Sequence, residues 1–528
     1  MIKITVTEGA NEPRTIDATH GERLQDVLNR EHIHSHAPCG GRGTCGKCGV
    51  VINNRRELAC QTVITTPLCV ETAQTPAQSA ASIMHESLGH ARIITLDPGI
   101  SKSISDGVVS VSYKQHEIVQ TFDEADSANN CFGFAVDIGT TTVAVYLVNL
   151  HTGATIDTAT FINPQTSFGH DVISRITHCI EKSAGLTQLR QAIVKAINKA
   201  VTALCHTHAI STEHIYKCTI AGNTIMLHLF CGIDPRSIAF APFTPVFTEE
   251  KILSGAQAML AMHPDGIVKV LPSIAGYVGA DIVAGIASTT LADEAVWQLF
   301  IDIGTNGEIA LGNRDTIICC ATAAGPAFEG ATIQCGMGGI AGAIDHYSAA
   351  GYTTIGGGRP HGICGSGLID ITAHLVTIGT IDMTGLMEAD FVLAVQGDSD
   401  TDHDIVLTPA DVRQVQLAKA AIYAGIKTLI NTAGIAMEQI QRVYLAGGFG
   451  GYINIKSAGT IGLLPAPLLD KIVVIGNSAG TGARFALLSV EFEAEIEKVV
   501  ARARYLELSM RPDFNDEYVM AMMFEPTV

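Results

Sequence analysis

Basic residues are in short supply. The chain of 528 residues carries 33 Lys plus Arg against 52 Asp plus Glu, a formal charge of −19. That balance disfavours nucleic acid and anionic membranes as partners, because both select cationic surfaces. Long hydrophobic runs are missing too. Apolar residues make up 47% of the chain, yet no run approaches the ~18 uninterrupted residues that a membrane-spanning helix needs. The opening MIKITVTEGANEPRTIDA alternates like a strand and lacks the apolar stretch of a signal peptide. Cysteine is present but dilute, 14 residues over the whole length, which excludes a disulfide scaffold and makes the cytoplasm the expected compartment. No Gly-x-x-x-x-Gly-Lys-Ser/Thr segment occurs, which argues against a P-loop ATPase. The series G-x-G-x-x-G is missing around Gly447 and Gly448, which argues against a dinucleotide fold.

What is present divides unevenly. Residues 2–7 alternate as a half-buried strand, and Leu24, Val27 and Leu28 share one face of a short helix. With a cysteine loop at 39–48 and short apolar runs after it, they make a compact module over residues 1–75. Residues 76–130 read as a partly structured connector, small and polar at first, strand-like at 107–121. Beyond 131 the pattern is α/β, with helices expected near 186–205 and 410–432. A DIGT tetrapeptide ending an apolar strand occurs at 137–140 and again at 302–305. This internal repeat predicts two related lobes, over 131–295 and 296–528, with a cleft between them.

The loop PCGGRGTCGKCGV brings Cys39, Cys45 and Cys48 within ten residues, and Cys60 follows in ELACQT. Thiolates suit iron–sulfur clusters or zinc, and the single C-x2-C pair leaves a structural zinc site open. The intervening glycines tilt the choice towards a cluster, since they let backbone amides approach sulfur. His32, His34 and His36 precede the loop, as cluster-tuning groups, a partner surface or simply solvated side chains. Cys205, His206, His208, His214 and Cys218 have no spacing that matches a metal site.

Each DIGT hairpin exposes backbone amides and hydroxyls suited to phosphate, while its aspartate can hold water on magnesium. The first offers Asp137, Gly139, Thr140 and Thr141, the second Asp302, Gly304, Thr305 and Asn306. A single hairpin is equally a structural turn; two facing ones make a clamp. A third glycine-rich turn follows a strand in VYLAGGFGGYIN, with Gly447 and Gly448, and GNSAGTGA at 476–483 adds another.

The cysteine loop resembles those of plant-type and adrenodoxin-type 2Fe–2S ferredoxins, and the first module resembles a reduced β-grasp fold. The resemblance implies Cys39, Cys45, Cys48 and Cys60 as cluster ligands. The eleven residues between Cys48 and Cys60 are fewer than usual, which leaves Cys69 as a competitor for the fourth position. The hairpins resemble the acetate and sugar kinase, heat-shock chaperone and actin superfamily, in which two ribonuclease-H-like lobes close on Mg–ATP. By that resemblance Asp137 and Asp302 organise Mg–phosphate, Gly447 and Gly448 border the nucleoside, and Asp281 or Asp302 positions the attacking water.

Further segments narrow the branch: NPQTSFGHDVISRI (163–176), AGNTIMLHLFCG (221–232), LPSIAGYVGADIVAGI (271–286), AAGPAFEGA (323–331), GICGSGLID (362–370) and QLAKAAIYAGI (416–426). With the ferredoxin loop they resemble the ATP-dependent reductive activators of corrinoid proteins. The family implies passage of one electron from the cluster to cob(II)alamin, giving cob(I)alamin in a methyltransferase system. It also implies a low-potential electron donor and a homodimer. Plant-type clusters lie near about −400 mV, so a harder-to-reduce cobalt calls for ATP. Two other readings stay open at this point: an activator of a different metalloenzyme, and a non-catalytic redox- and nucleotide-sensing protein.

Overall fold

The computed structural model describes residues 1–8, 13–31, 33, 48–53, 55–72, 92–122, 126–304, 306–447 and 450–524. Cys39, Cys45, His32, His34, His36, Thr305 and Gly448 lie outside the described residues.

The N-terminal module is a mixed sheet of Ile2–Glu8, Arg14–Ala18, Gly49–Ile52, Arg55–Leu58 and Leu68–Thr72. Its spatial order is second, first, fifth, third, fourth, and the first strand pairs with the fifth in parallel. Parallel neighbours need a crossover, here containing the helix Leu24–Arg30. Leu24, Val27 and Leu28 pack from that helix onto Ile4, Val6 and Val70 of the sheet. This is a β-grasp arrangement.

The connector forms an antiparallel meander, Ile100–Ser105, Val108–Tyr113 and His116–Phe122. Its turns, Asp106–Gly107 and Lys114–Gln115, place both residues at positive φ. That geometry matches the right-handed twist of the strands they join. Val109, Val111 and Val119 insert into the core of the first lobe.

Two sheets dominate the remainder. The first contains Phe132–Ile138, Thr142–Asn149, Thr155–Ile162, Ile215–Gly222, Lys251–Ser254 and Ile267–Val270, in spatial order third, second, first, fourth, sixth, fifth. The second contains Trp297–Ile303, Gly307–Gly312, Ile317–Thr322, Ile440–Ala446, Ile472–Gly476 and Ala503–Tyr505, in spatial order sixth, third, second, first, fourth, fifth. Both share an antiparallel three-strand meander whose first strand pairs in parallel with the fourth. The duplication inferred from DIGT is therefore a duplication of topology. Phe132–Ile138 is buried at every residue, as expected of a strand covered on both faces.

The helix Pro409–Ala433 matches the expected 410–432, and its ends have local causes. Thr408 and Asp411 form a capping box with proline at the start, and Gly434 in the left-handed region stops it. The chain then crosses back. Ser478–Leu488 and Val490–Arg502 place Ala483, Leu487, Phe492 and Val499 in the first lobe's core. A division by sequence position at 295/296 thus separates these helices from the core they complete. Among the described residues, no helix is long and apolar enough to cross a membrane.

Candidate active site

The two first strands carry their aspartates at equivalent positions. Asp137 is the penultimate residue of Phe132–Ile138, and Asp302 that of Trp297–Ile303. Asp281 lies in the first turn of the helix Ala280–Ala287, where the helix dipole favours an anion. Glu308 sits opposite Asp302 in the antiparallel register, so their side chains share one face of the sheet.

These four carboxyls sense one another. Burial, then the charge of Asp281, pushes Asp137 up to about 7. Burial, then the charges of Asp281 and Asp302, raises Glu308 well above the usual range. Asp281 and Asp302 are half-buried, yet enough protein surrounds them that burial raises both, Asp302 to about 7. Among the described residues no three acidic, cysteine or histidine side chains stand close enough to ligate a metal ion directly, so these carboxyls fit a magnesium ion that keeps most of its waters. Gly447 completes the cradle. It has φ +95°, and a Cβ there would meet Asp302 Oδ1 at 2.7 Å. A side chain would fill the space beside the carboxylate.

The first DIGT hairpin is braced by its neighbours. Asn163 Nδ2 donates to the Gly139 carbonyl at 2.8 Å, and Asn223 Nδ2 donates to Thr140 Oγ1 at 3.0 Å. Arg175, fully buried, donates to the carbonyls of Thr140 and Gly169 and to Gln165 Oε1. Burial lowers its guanidinium to about 9. Thr141 Oγ1 donates to Glu329 Oε2 at 3.0 Å across the lobes. Asn477 Nδ2 donates to Asp137 Oδ2 at 3.0 Å.

The segment GNSAGTGA is expected as another turn; instead it opens the helix Ser478–Leu488, with Asn477 as its cap. Its glycines serve a close crossing rather than a ligand: a Cβ on Gly482 would lie 2.2 Å from the Ala284 carbonyl. Sequence reasoning missed Glu308, Asn163, Asn223, Arg175, Asn477 and Glu329 as site residues. Five of them lie in glycine-rich or branch-specific segments singled out above, and Glu308 continues the second DIGT turn as DIGTNGE.

In the N-terminal module, the sulfurs of Cys48 and Cys60 lie 3.1 Å apart, both buried, with Leu58 packed against them. Cys69 is exposed on Leu68–Thr72. Converging thiolate donors fit an iron–sulfur group. Within 205–218, Cys205 and Cys218 are core residues, His208 meets Asp157 at 2.8 Å, His214 meets Asp126 at 3.4 Å, and His206 is exposed.

Three family models match the chain. Residues 8–65 match the 2Fe-2S iron-sulfur cluster binding domain, 132–294 the RACo middle region, and 297–528 the C-terminal domain of RACo, the ASKHA domain. The N-terminal module is accordingly a 2Fe–2S domain. The chain is 32% identical to the corrinoid activation enzyme RamQ of Eubacterium limosum, over 97% of this chain and 98% of that protein. It is 26% identical to a Co(II) methylated amine-specific corrinoid protein reductase of Methanosarcina barkeri, over 74% and 77% of the two chains. A solved structure named as a reductive activator for corrinoid, iron-sulfur protein superposes with a TM-score of 0.75 at 34% identity, covering 100% of this chain and 99% of that one. With a β-grasp module, a duplicated ATPase-like body and relatives matched end to end, the chain belongs to the RACo family of corrinoid activators.

Proposed function

We propose that this protein couples ATP hydrolysis to reduction of a corrinoid protein of a methyltransferase system, delivering one electron that takes its cobalt from Co(II) to Co(I). The observation that carries the reading is the union, on one chain, of a thiolate-lined ferredoxin module and a two-lobed cleft lined by Asp137, Asp281, Asp302 and Glu308. When bound, the cluster supplies a low-potential one-electron donor, and Mg–ATP supplies the free energy of phosphoanhydride cleavage.

The chain's own residues divide the work. Cys39, Cys45, Cys48 and Cys60 hold the cluster, and Cys60 is favoured over Cys69 because its sulfur meets that of Cys48. Asp137 and Asp302 hold the cation and its water, with Glu308 adding negative charge beside Asp302. Gly139, Thr140, Thr141, Gly304, Thr305 and Asn306 present amides and hydroxyls to the phosphates. Gly447 and Gly448 let the backbone approach the nucleoside, and Asp281 and Asp302 orient the attacking water. A low-potential donor reloads the cluster in the cytoplasm, and the active form is a homodimer.

The test is anaerobic. The cluster-loaded protein, a chemical low-potential reductant and a Co(II) corrinoid protein are mixed with and without Mg–ATP, and the corrinoid absorbance is followed. Growth of the Co(I) spectrum only with ATP is expected; ATP-independent reduction, or none, would sink the reading. Cys60→Ser should bleach the cluster's visible absorbance while Cys69→Ser retains it, and the opposite pattern would reverse the ligand assignment.

A further inference from the structure

Two of the branch-specific segments meet at one loop: 163–176, which contains Arg175, and 323–331, which contains Glu329. The structure brings them to opposite sides of one loop. The Arg175 guanidinium lies beneath the first phosphate hairpin and donates to the Thr140 carbonyl. The Glu329 carboxylate, carried by the second lobe, accepts from the hydroxyl of Thr141, the next residue. Ala324, Ala327 and Phe328 anchor the Glu329 turn in the second lobe's core, so the carboxylate moves with that lobe. Arg175 is held by Gln165, Gly169 and Thr140, all in the first lobe.

A threonine hydroxyl has one proton and can donate to one acceptor at a time. If Thr141 serves phosphate, as the proposed ATP site requires, that proton must leave Glu329 for a phosphate oxygen. We infer that Glu329 is a lobe-bridging positioning residue that competes with the nucleotide's phosphates for the first phosphate hairpin, above the fixed charge of Arg175. The buried guanidinium attracts either anion, while carboxylate and phosphate repel each other. Phosphate binding and the Thr141–Glu329 bridge are therefore alternatives, and entry of ATP releases one contact between the lobes. This inference rests on the ATP-site reading and adds to it a named residue through which nucleotide controls lobe contact.

The experiment compares the full-length wild type with Glu329→Gln and Glu329→Asp, by calorimetry with a magnesium complex of a non-hydrolysable ATP analogue and, separately, with adenosine. Glutamine still accepts from Thr141 but without charge, which preserves the bridge and the fold. Weakening a charge-assisted bond to a neutral one should tighten the ATP analogue by about tenfold, with adenosine unchanged. Glu329→Asp should return towards the wild-type affinity. Equal or weaker analogue binding by Glu329→Gln would overturn the competition while leaving the ATP site standing. Tightening of analogue and adenosine alike would also overturn it, as a general effect on the lobes. A wild-type protein that binds neither ligand would overturn the ATP-site reading and this inference together.

Discussion

The two DIGT hairpins share a tetrapeptide and a topology, yet their surroundings differ. The first is braced by side chains of its own lobe, with Asn163, Asn223 and Arg175 all donating into it. A Cβ on Gly139 would lie 2.6 Å from the Thr142 carbonyl, so that turn has no room to spare. In the second hairpin a Cβ on Gly304 has its nearest neighbour among the described residues at 3.7 Å, the Asn306 carbonyl. What the second hairpin has instead is charge: Asp302 and Glu308 face each other across the two strands. One copy is thus braced by side chains, while the other carries a second carboxyl beside its aspartate. Identical motifs need not contribute equally.

That contrast can be broken in several ways. The largest effect is expected from Asp302→Ala, which should lower partner-stimulated phosphate release by at least about 100-fold while the protein still folds; retained turnover would remove the second hairpin from the chemistry. Next comes the pair of glycines. Gly139→Ala should cost about 2 kcal/mol of unfolding free energy, whereas Gly304→Ala should stay within about 0.5 kcal/mol. Equal losses in denaturant titrations would show both turns to be braced alike.

Glu308→Gln should act in opposite directions on stability and function. Relieving one buried like charge should stabilise the fold by about 1 kcal/mol. The magnesium concentration for half-maximal turnover should nevertheless rise several-fold. A variant that loses stability would show that the hydrogen bond between Glu308 and Asn306 outweighs the relief of charge.

A separate test concerns how the returning helix is tied to the first lobe. Glu493 meets Lys217 at 3.2 Å, Lys269 at 2.7 Å and Lys114 at 2.9 Å, with Tyr113 and Glu250 also facing the cluster. The lysines hold the Glu493 carboxyl below its ordinary 4.5 despite its burial. A depressed carboxylate contributes stability above its unfolded value and loses it as pH falls through the folded one. The gap in melting temperature between wild type and Glu493→Gln should therefore be full above about pH 4.5 and close under more acidic conditions. A gap independent of pH would mean that packing, not charge, ties the helix down.

Much of this was legible in the residues because periodicity and turn chemistry are local. Leu24, Val27 and Leu28 declare a buried helical face, and the repeated DIGT a duplicated body. The return of Ser478–Arg502 to the first lobe could not be read, because membership of a core depends on contacts between residues far apart in the chain. Asn477 shows the same limit. Its sequence neighbours suggest a loop, whereas the glycines there answer to a helix packed on Ala280–Ala287. Glu329 and Arg175 stood in conspicuous segments, but only folding reveals that they flank a single loop.

That helix crossing has a mechanical consequence. Gly482 seats against the Ala284 carbonyl, and Gly285 meets the ring of Phe300 from the second sheet. Helices that interlock through large side chains must climb over one another's ridges to slide. A contact made of glycine and alanine backbone presents no such ridges. It works as a plain bearing, stiff against separation and smooth against rotation, set between the two sheets.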